Sequence, residues 1–304
     1  MAKVLYYLVI LPLSILPYAL LYGISNFMFL LLYYIFGYRK KVIVGNIYSS
    51  FPELEEKEKN KIVRKFYLHF CDLIVEAIKN FTVSEKQIKK RVQFSNVDLM
   101  DQLYDKGKSV VMIGGHYGNW EMFAIAAGNI HKHKQYGIYK PLSAKFFDEK
   151  LKKSRGAYGM NMIPMKETKT YFEATHKEPI SVIFGSDQWP SKPERAHWTT
   201  FLGKETPFLY GGEKYAKEFD YAVVYCEILR EKRGYFNVNY HLITENPKEL
   251  EKGEIIDLFT EKLEKTINSN KPYWLWSHKR WKKTKEEVFG AARDAKNIGS
   301  GNIK

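Results

Sequence analysis

The chain opens on an almost uninterrupted apolar and aromatic run from Val4 to Tyr38 that contains no charged residue. As one straight helix it would reach about 50 Å at about 1.5 Å per residue. A bilayer core is only about 30 Å thick, so one perpendicular span is too simple. Pro12, Pro17 and Gly23 offer places to bend. The stretch 18–36 is long enough to span, and 4–16 is expected to lie in the interface or re-enter. Lys3 is the one basic residue ahead of the run, and no small-residue cleavage site ends it. A retained anchor is therefore expected rather than a signal peptide. Arg39-Lys40-Lys41 follows at once, which places the next segment on the cytoplasmic side.

Beyond the anchor the periodicity changes. Phe51-Pro52-Glu53 reads as a helix start, with proline and acids in the first turn. Ile62, Val63, Phe66, Tyr67, Phe70, Leu73, Ile74, Ala77 and Ile78 then recur at helical spacing. Strands are expected at 109–113, 180–184, 221–228 and 235–243, with Arg230–Gly234 as a polar hairpin turn. Helical patterns occupy 120–131, 144–155, 168–175, 212–219 and 255–267. This alternation predicts an α/β fold built on a single mixed sheet flanked by helices. The domain organisation is an anchor (1–38), one folded domain (39–285) and a flexible tail (286–304).

Composition narrows the partners. The net charge is +14 and the sequence pI about 9.4, which suits nucleic acid, an anionic membrane surface or an acidic protein. The 22 Tyr, 19 Phe and 6 Trp suit a lipid interface as well as single-stranded nucleic acid. Cys71 and Cys226 are the two cysteines, each in an apolar segment, so no disulfide framework is expected. His131-Lys132-His133 lacks a further ligand nearby and is read as a solvated loop or helix end. No metal and no organic cofactor is expected.

Three constellations carry candidate chemistry. The first is Gly114-Gly115-His116-Tyr117-Gly118-Asn119-Trp120-Glu121, directly after the strand at 109–113. The glycines allow a sharp turn, and Asn119 can cap a helix beginning near Trp120. His116 and Glu121 would then meet at the C-terminal edge of a strand, where open α/β sheets gather catalytic groups. A carboxylate beside an imidazole fixes its tautomer and suits it to accept a proton. The plainer reading of this pair is a surface or helix-terminus contact. The second is Ile180–Gln188, a strand that ends in glycine and delivers Asp187 and Gln188. Asp187 faces the crevice of His116 if the two strands are parallel neighbours; otherwise it caps a turn. Thr199–Lys204 follows as an apolar turn suited to wall a pocket. The third, Pro272–Lys283, packs three Trp and a Tyr among basic residues, an aromatic and cationic patch suited to lipid headgroups.

Taken together and in this order behind an anchor, these motifs resemble the late (secondary) acyltransferases of lipid A biosynthesis. The resemblance runs from the anchor to Trp281. It rests most specifically on His-x-x-x-x-Glu at His116 and Glu121. Tyr139-Lys140-Pro141, Arg155, Asp187-Gln188, Phe201–Gly203 and Trp274–Trp281 support it. Lys140 and Leu202 depart from the family's usual Arg and Phe, which bears on the acceptor. The resemblance implies a glycerolipid-acyltransferase-like fold and a catalytic domain at 39–285. It also implies an acyl carrier protein thioester donor, less often acyl-CoA, and a glycolipid acceptor at the cytoplasmic face of the inner membrane.

On that basis His116 is the general base and Glu121 holds its imidazole. Backbone N–H groups near Gly118 and the Arg155 guanidinium are oxyanion donors, and Asp187 positions Arg155 or the acceptor. Gly118, Asn119, Lys140, Gln188, Trp276, His278 and Arg280 are expected to bind substrate. Lys279, Arg280, Lys282, Lys283 and Lys285 would meet headgroups or the carrier. Expected partners are acyl carrier protein, the glycolipid acceptor and anionic inner-leaflet lipids, not nucleic acid. The competing functions are acyl transfer to a lysophospholipid or aminolipid, thioester hydrolysis, and a non-enzymatic membrane- or anion-binding module.

Overall fold

A computed structural model describes residues 2–290. Its strands are β1 (Val92–Ser95), β2 (Val110–Gly114), β3 (Lys134–Tyr139), β4 (Asn161–Pro164), β5 (Ile180–Gly185), β6 (His197–Phe201), β7 (Lys204–Phe208), β8 (Ala222–Lys232) and β9 (Tyr235–Thr244). Seven of them form one mixed sheet in the order β1-β9-β8-β2-β5-β3-β4, and β6 and β7 form a separate hairpin. Every neighbouring pair in the large sheet is parallel except β8 and β9. Helices cover both faces, as a sheet with parallel interior strands requires.

Alternation along the central strands divides the core in two. Val111 and Ile113 of β2, Val182 of β5, and Val223 and Tyr225 of β8 point to one face. There they meet Phe66 and Tyr67 of helix Glu56–Lys79 and Phe259 and Leu263 of helix Glu254–Ser269. Val110, Met112, Ala222, Val224 and Cys226 point to the other face, against Met100 and Leu103 of helix Val97–Asp105 and Met122 and Ile125 of helix Trp120–Ala126.

The structure revises several sequence expectations. The turn between β8 and β9 shrinks to Arg233-Gly234, because Arg230, Glu231 and Lys232 continue the strand. Pro52 does not open a helix. A helix at Lys40–Ser50 ends just before it, and the next begins at Glu56 with Glu56 and Glu58 in its first turn. The break is fixed by Phe51, which is buried against the Trp276 ring. Helix 120–131 stops at Ala126 and tightens into a short turn at Ala127–Asn129. Residues 285–290 are helical, with Thr284 and Glu287 capping each other and Val288 buried. The rest of the expected flexible tail, 291–304, lies outside the described residues.

The amino-terminal run breaks at Leu16-Pro17 into helical stretches Ala2–Ile15 and Tyr18–Ile35. The second is long and apolar enough to cross a membrane. It is not a detached stalk. Tyr18, Leu21, Ser25 and Phe29 recur at helical spacing and are buried along helix Glu56–Lys79. Polar contacts lock the seam. Ser25 Oγ donates to Asp72 (2.7 Å), Tyr22 OH to Glu76 (2.8 Å), and Lys79 Nζ to the Ser14 carbonyl (2.8 Å). The opposite side, with Leu20, Phe27, Leu30, Tyr34 and Ile35, is bare.

Candidate functional site

β2 and β5 are parallel and in register, with Gly114 opposite Gly185, so both strands end at the same edge. The chain leaves β2 through residues 115–118 and enters helix Trp120–Ala126, whose first turn Asn119 caps by accepting from the Met122 N–H (2.9 Å). This loop is held from behind by the carboxy-terminal segment. The Gly118 N–H donates to the Tyr273 carbonyl (3.0 Å), and the Leu275 N–H donates to the His116 carbonyl (3.1 Å). Gly118 lies at φ +62, and a Cβ there would come within 2.8 Å of the Ile228 carbonyl oxygen. Both facts demand glycine.

Asp187, two residues past β5, is buried beneath this loop and accepts three hydrogen bonds. Its Oδ2 receives the His116 backbone N–H and the Trp274 indole N–H, each at 2.7 Å, and its Oδ1 faces His116 Nδ1 at 2.5 Å. Burial alone would raise this carboxyl. The paired imidazole and the other donors outweigh it and bring the pKa down to about 2. The same pair works on His116. Burial favours its neutral form, but the Asp187 charge and hydrogen bond prevail and raise its pKa. With Nδ1–H donated to Asp187, the lone pair of Nε2 faces the open side. Gln188 Nε2 sits 3.2 Å from it, and the Trp120 ring stands edge-on to the imidazole.

Glu121 is not the partner of the imidazole. It forms a bidentate pair with Arg155, Nε to Oε2 at 2.9 Å and Nη2 to Oε1 at 2.6 Å. The reason lies in the capped helix. Asn119 starts it late enough to turn Glu121 toward helix Lys145–Arg155, while Asp187 already occupies the Nδ1 side of His116. Glu121 still acts on His116 through space, adding to the upward shift of its pKa. Among the described residues, Arg155 Nη1 makes no hydrogen bond.

These groups open into a cavity of about 370 Å³, within the about 300–1,000 Å³ typical of small-molecule sites. His116, Glu121, Lys140, Arg155 and Gln188 stand along its polar side, and Ile138, Met160, Met162, Phe184 and Ile228 line its apolar side. The cavity combines polar and apolar lining, which suits a group with a reactive head and a hydrocarbon body.

Other expected binding residues have structural partners instead. Gly118 N–H is already bonded to Tyr273, so it is not a free oxyanion donor. The Asn119 amide is buried and donates to Glu76 (2.6 Å). Trp276 is buried against Phe51, and its indole N–H donates to the Lys271 carbonyl (2.7 Å). His278 Nε2 accepts the Trp189 N–H (2.9 Å), and burial pushes its pKa down to about 4. Arg280 is fully buried, donating to Thr206 Oγ1 and the Pro207 carbonyl at 2.8 Å each, and burial draws its pKa down to about 9. It braces the β6–β7 hairpin and cannot meet a headgroup. Lys285 is paired with Glu205 at 2.7 Å, whereas Lys279, Lys282 and Lys283 are exposed. The expected solvated pair His131 and His133 is buried, and burial pushes both imidazoles below their ordinary pKa.

Sequence reasoning passed over the apolar lining. Met160, Met162 and Met165 all reach the cavity, and their close spacing was a usable sign, since methionine adapts to irregular apolar space. Among the described residues no cluster of His, Cys, Asp and Glu is arranged to hold a metal ion.

The family model described as bacterial lipid A biosynthesis acyltransferase matches residues 1–283. A search of curated proteins finds no match.

Proposed function

The chain belongs to the bacterial lipid A biosynthesis acyltransferases, and from that membership we propose that it moves a fatty acyl chain from an acyl carrier protein thioester to a hydroxyl of a lipid A precursor. That it is an acyltransferase follows from the family. The donor, the roles of the residues and the attachment to the inner membrane are the proposal.

His116 Nε2 takes the proton from the acceptor hydroxyl as that oxygen attacks the thioester carbonyl. The new C–O bond forms and a tetrahedral oxyanion results. The C–S bond then breaks, and the imidazolium returns its proton to the departing thiolate. Asp187 holds Nδ1–H and stabilises the imidazolium, the part that the family resemblance leads one to expect of Glu121. Glu121 holds Arg155 so that its remaining N–H groups meet the oxyanion, with Gln188 Nε2 beside His116 as a second donor. No acyl-enzyme is required. Both cysteines are buried, and burial raises their thiols further from the thiolate, Cys71 to about 12.

The observation that carries this reading is the pairing of buried Asp187 with His116, which lines a cavity of mixed polar and apolar walls. The bare apolar side of helix Tyr18–Ile35 supports attachment to the membrane, and the net charge of +14 supports an acidic carrier, phosphorylated lipid and an anionic leaflet. The test is mass spectrometry of lipids from a strain lacking the gene, complemented with wild type or His116→Ala. Lipid A lighter by one acyl chain, restored by wild type alone, is the expected result. Unchanged lipid A with another lipid class short of an acyl chain replaces the acceptor. Full restoration by His116→Ala removes the general base.

A further inference from the structure

The Glu121–Arg155 pair borders two spaces. On its far side lies a groove of about 390 Å³ between helices Glu56–Lys79 and Lys145–Arg155. Ile74, Ala77, Ile78, Phe81 and Ile125 make it almost wholly apolar. Glu121, Leu151 and Arg155 line both the groove and the catalytic cavity.

The groove adjoins the amino-terminal helix. Phe81 packs edge-on against Tyr6 at 5.5 Å between ring centres, and Lys79 ties the Ser14 and Leu16 carbonyls at 2.8 and 3.1 Å. Next to Tyr6, Leu5 and Leu8 are 46% and 72% exposed. An apolar path therefore runs from an exposed apolar helix face, past Phe81, to an ion pair that borders the catalytic base. Asn80 also lines the groove, and its buried Oδ1 has no hydrogen-bond partner among the described residues. A buried acceptor without a donor is open to one from a bound group.

We propose that this groove seats a hydrocarbon chain of the lipid acceptor, while the cavity beneath the sheet edge takes the acyl chain of the donor. The assignment rests on the acyltransferase reading above. It follows from the side of approach. A carrier protein comes from water, whereas a lipid comes from the apolar surface that exposed Val4, Leu5 and Leu8 of helix Ala2–Ile15 suit. The shared ion pair lets the acceptor's polar atoms reach His116 while its chain stays in the groove.

The test uses the full-length protein in anionic phospholipid vesicles with a lipid A precursor bearing 3-hydroxyacyl chains, one ending in a diazirine. Irradiation of wild type should label residues 74–81 or Ile125. A diazirine at the end of the donor's acyl chain should instead label the Met160–Met165 side. In parallel, Ala77→Phe should raise the KM for the precursor about tenfold, the scale of a filled apolar subsite, and leave the KM for the acyl thioester in place. An acceptor with shortened chains should recover part of the loss. Donor label at 74–81, acceptor label away from the groove, or an Ala77→Phe effect confined to the thioester KM would overturn the assignment. A wild-type protein that acylates no lipid A precursor would instead sink the proposed function, so the two failures are separable. The labelling needs no variant and decides the matter even where Ala77→Phe fails to fold.

Discussion

Two carboxylates act on the same imidazole and are built differently. Asp187 is buried, with three donors bound and nothing left to offer. Glu121 keeps a quarter of its side chain exposed, and its partner Arg155 retains an Nη1 unbonded among the described residues. The first arrangement fixes one imidazole in one tautomer, since any movement would strand a charge away from water. The second presents cationic N–H groups on a shared wall, where they can follow charge as it develops. A single motif, His-x-x-x-x-Glu, thus supplies one member to each pair, and neither is the other's partner.

The sharpest way to break this comparison is His116→Ala, which should reduce acyl transfer by about 10³–10⁴-fold through loss of the base. Product formed from labelled acyl thioester checks it. Asp187→Asn should cost about 10³-fold, because the amide can present the wrong group to Nδ1. Its melting temperature should be read beside the rate, since Trp274 Nε1 also loses a charged acceptor. Arg155→Ala should cost about 10²-fold, mostly in kcat, as expected for one oxyanion donor. Glu121→Gln should cost less than Arg155→Ala, and the double variant little more than Arg155→Ala alone, because the two act as a unit. Steady-state rates of the four proteins check this. The smallest effect should come from changing Lys279, Lys282 and Lys283 to Gln together. These exposed cations should weaken apparent affinity for the carrier or lipid by a few-fold, less so as salt rises, and leave kcat alone.

Legibility in the sequence followed burial. The central strands β2, β5 and β8 read as apolar runs because both their faces are covered. That same reading had Asp187 face the crevice of His116 if the strands were parallel neighbours, which β2 and β5 are, but the direct pairing of the two was not read. β1, β3 and β4 were not legible. Gln93 and Ser95, then Lys134 and Gly137, break their pattern, and β4 ends in Pro164. The β6–β7 hairpin had its sign in Leu202-Gly203, both at positive φ, which suits a two-residue turn, but it read only as a pocket wall. Glu121 was misassigned because residue spacing measures distance along the chain. The direction of its side chain is set by helix Trp120–Ala126 and by the Arg155 waiting on the neighbouring helix. The Trp274–Trp281 motif misled in a similar way. Its aromatic and basic composition suits a membrane surface, yet Trp274, Trp276 and Arg280 are buried and brace the loop, Asp187 and the hairpin.

The pairing of His116 with Asp187 is tested most directly by the pH dependence of kcat/KM for wild type, Asp187→Asn and Glu121→Gln. The base acts when neutral, so activity rises with pH through the His116 pKa, which Asp187 holds above the ordinary value of about 6.5. Removing the Asp187 charge leaves burial dominant and lowers that pKa. The rising limb of Asp187→Asn should therefore move to lower pH, at reduced height. In Glu121→Gln it should move in the same direction but less. A limb that stays in place in Asp187→Asn and shifts strongly in Glu121→Gln would contradict the account and return the imidazole to Glu121.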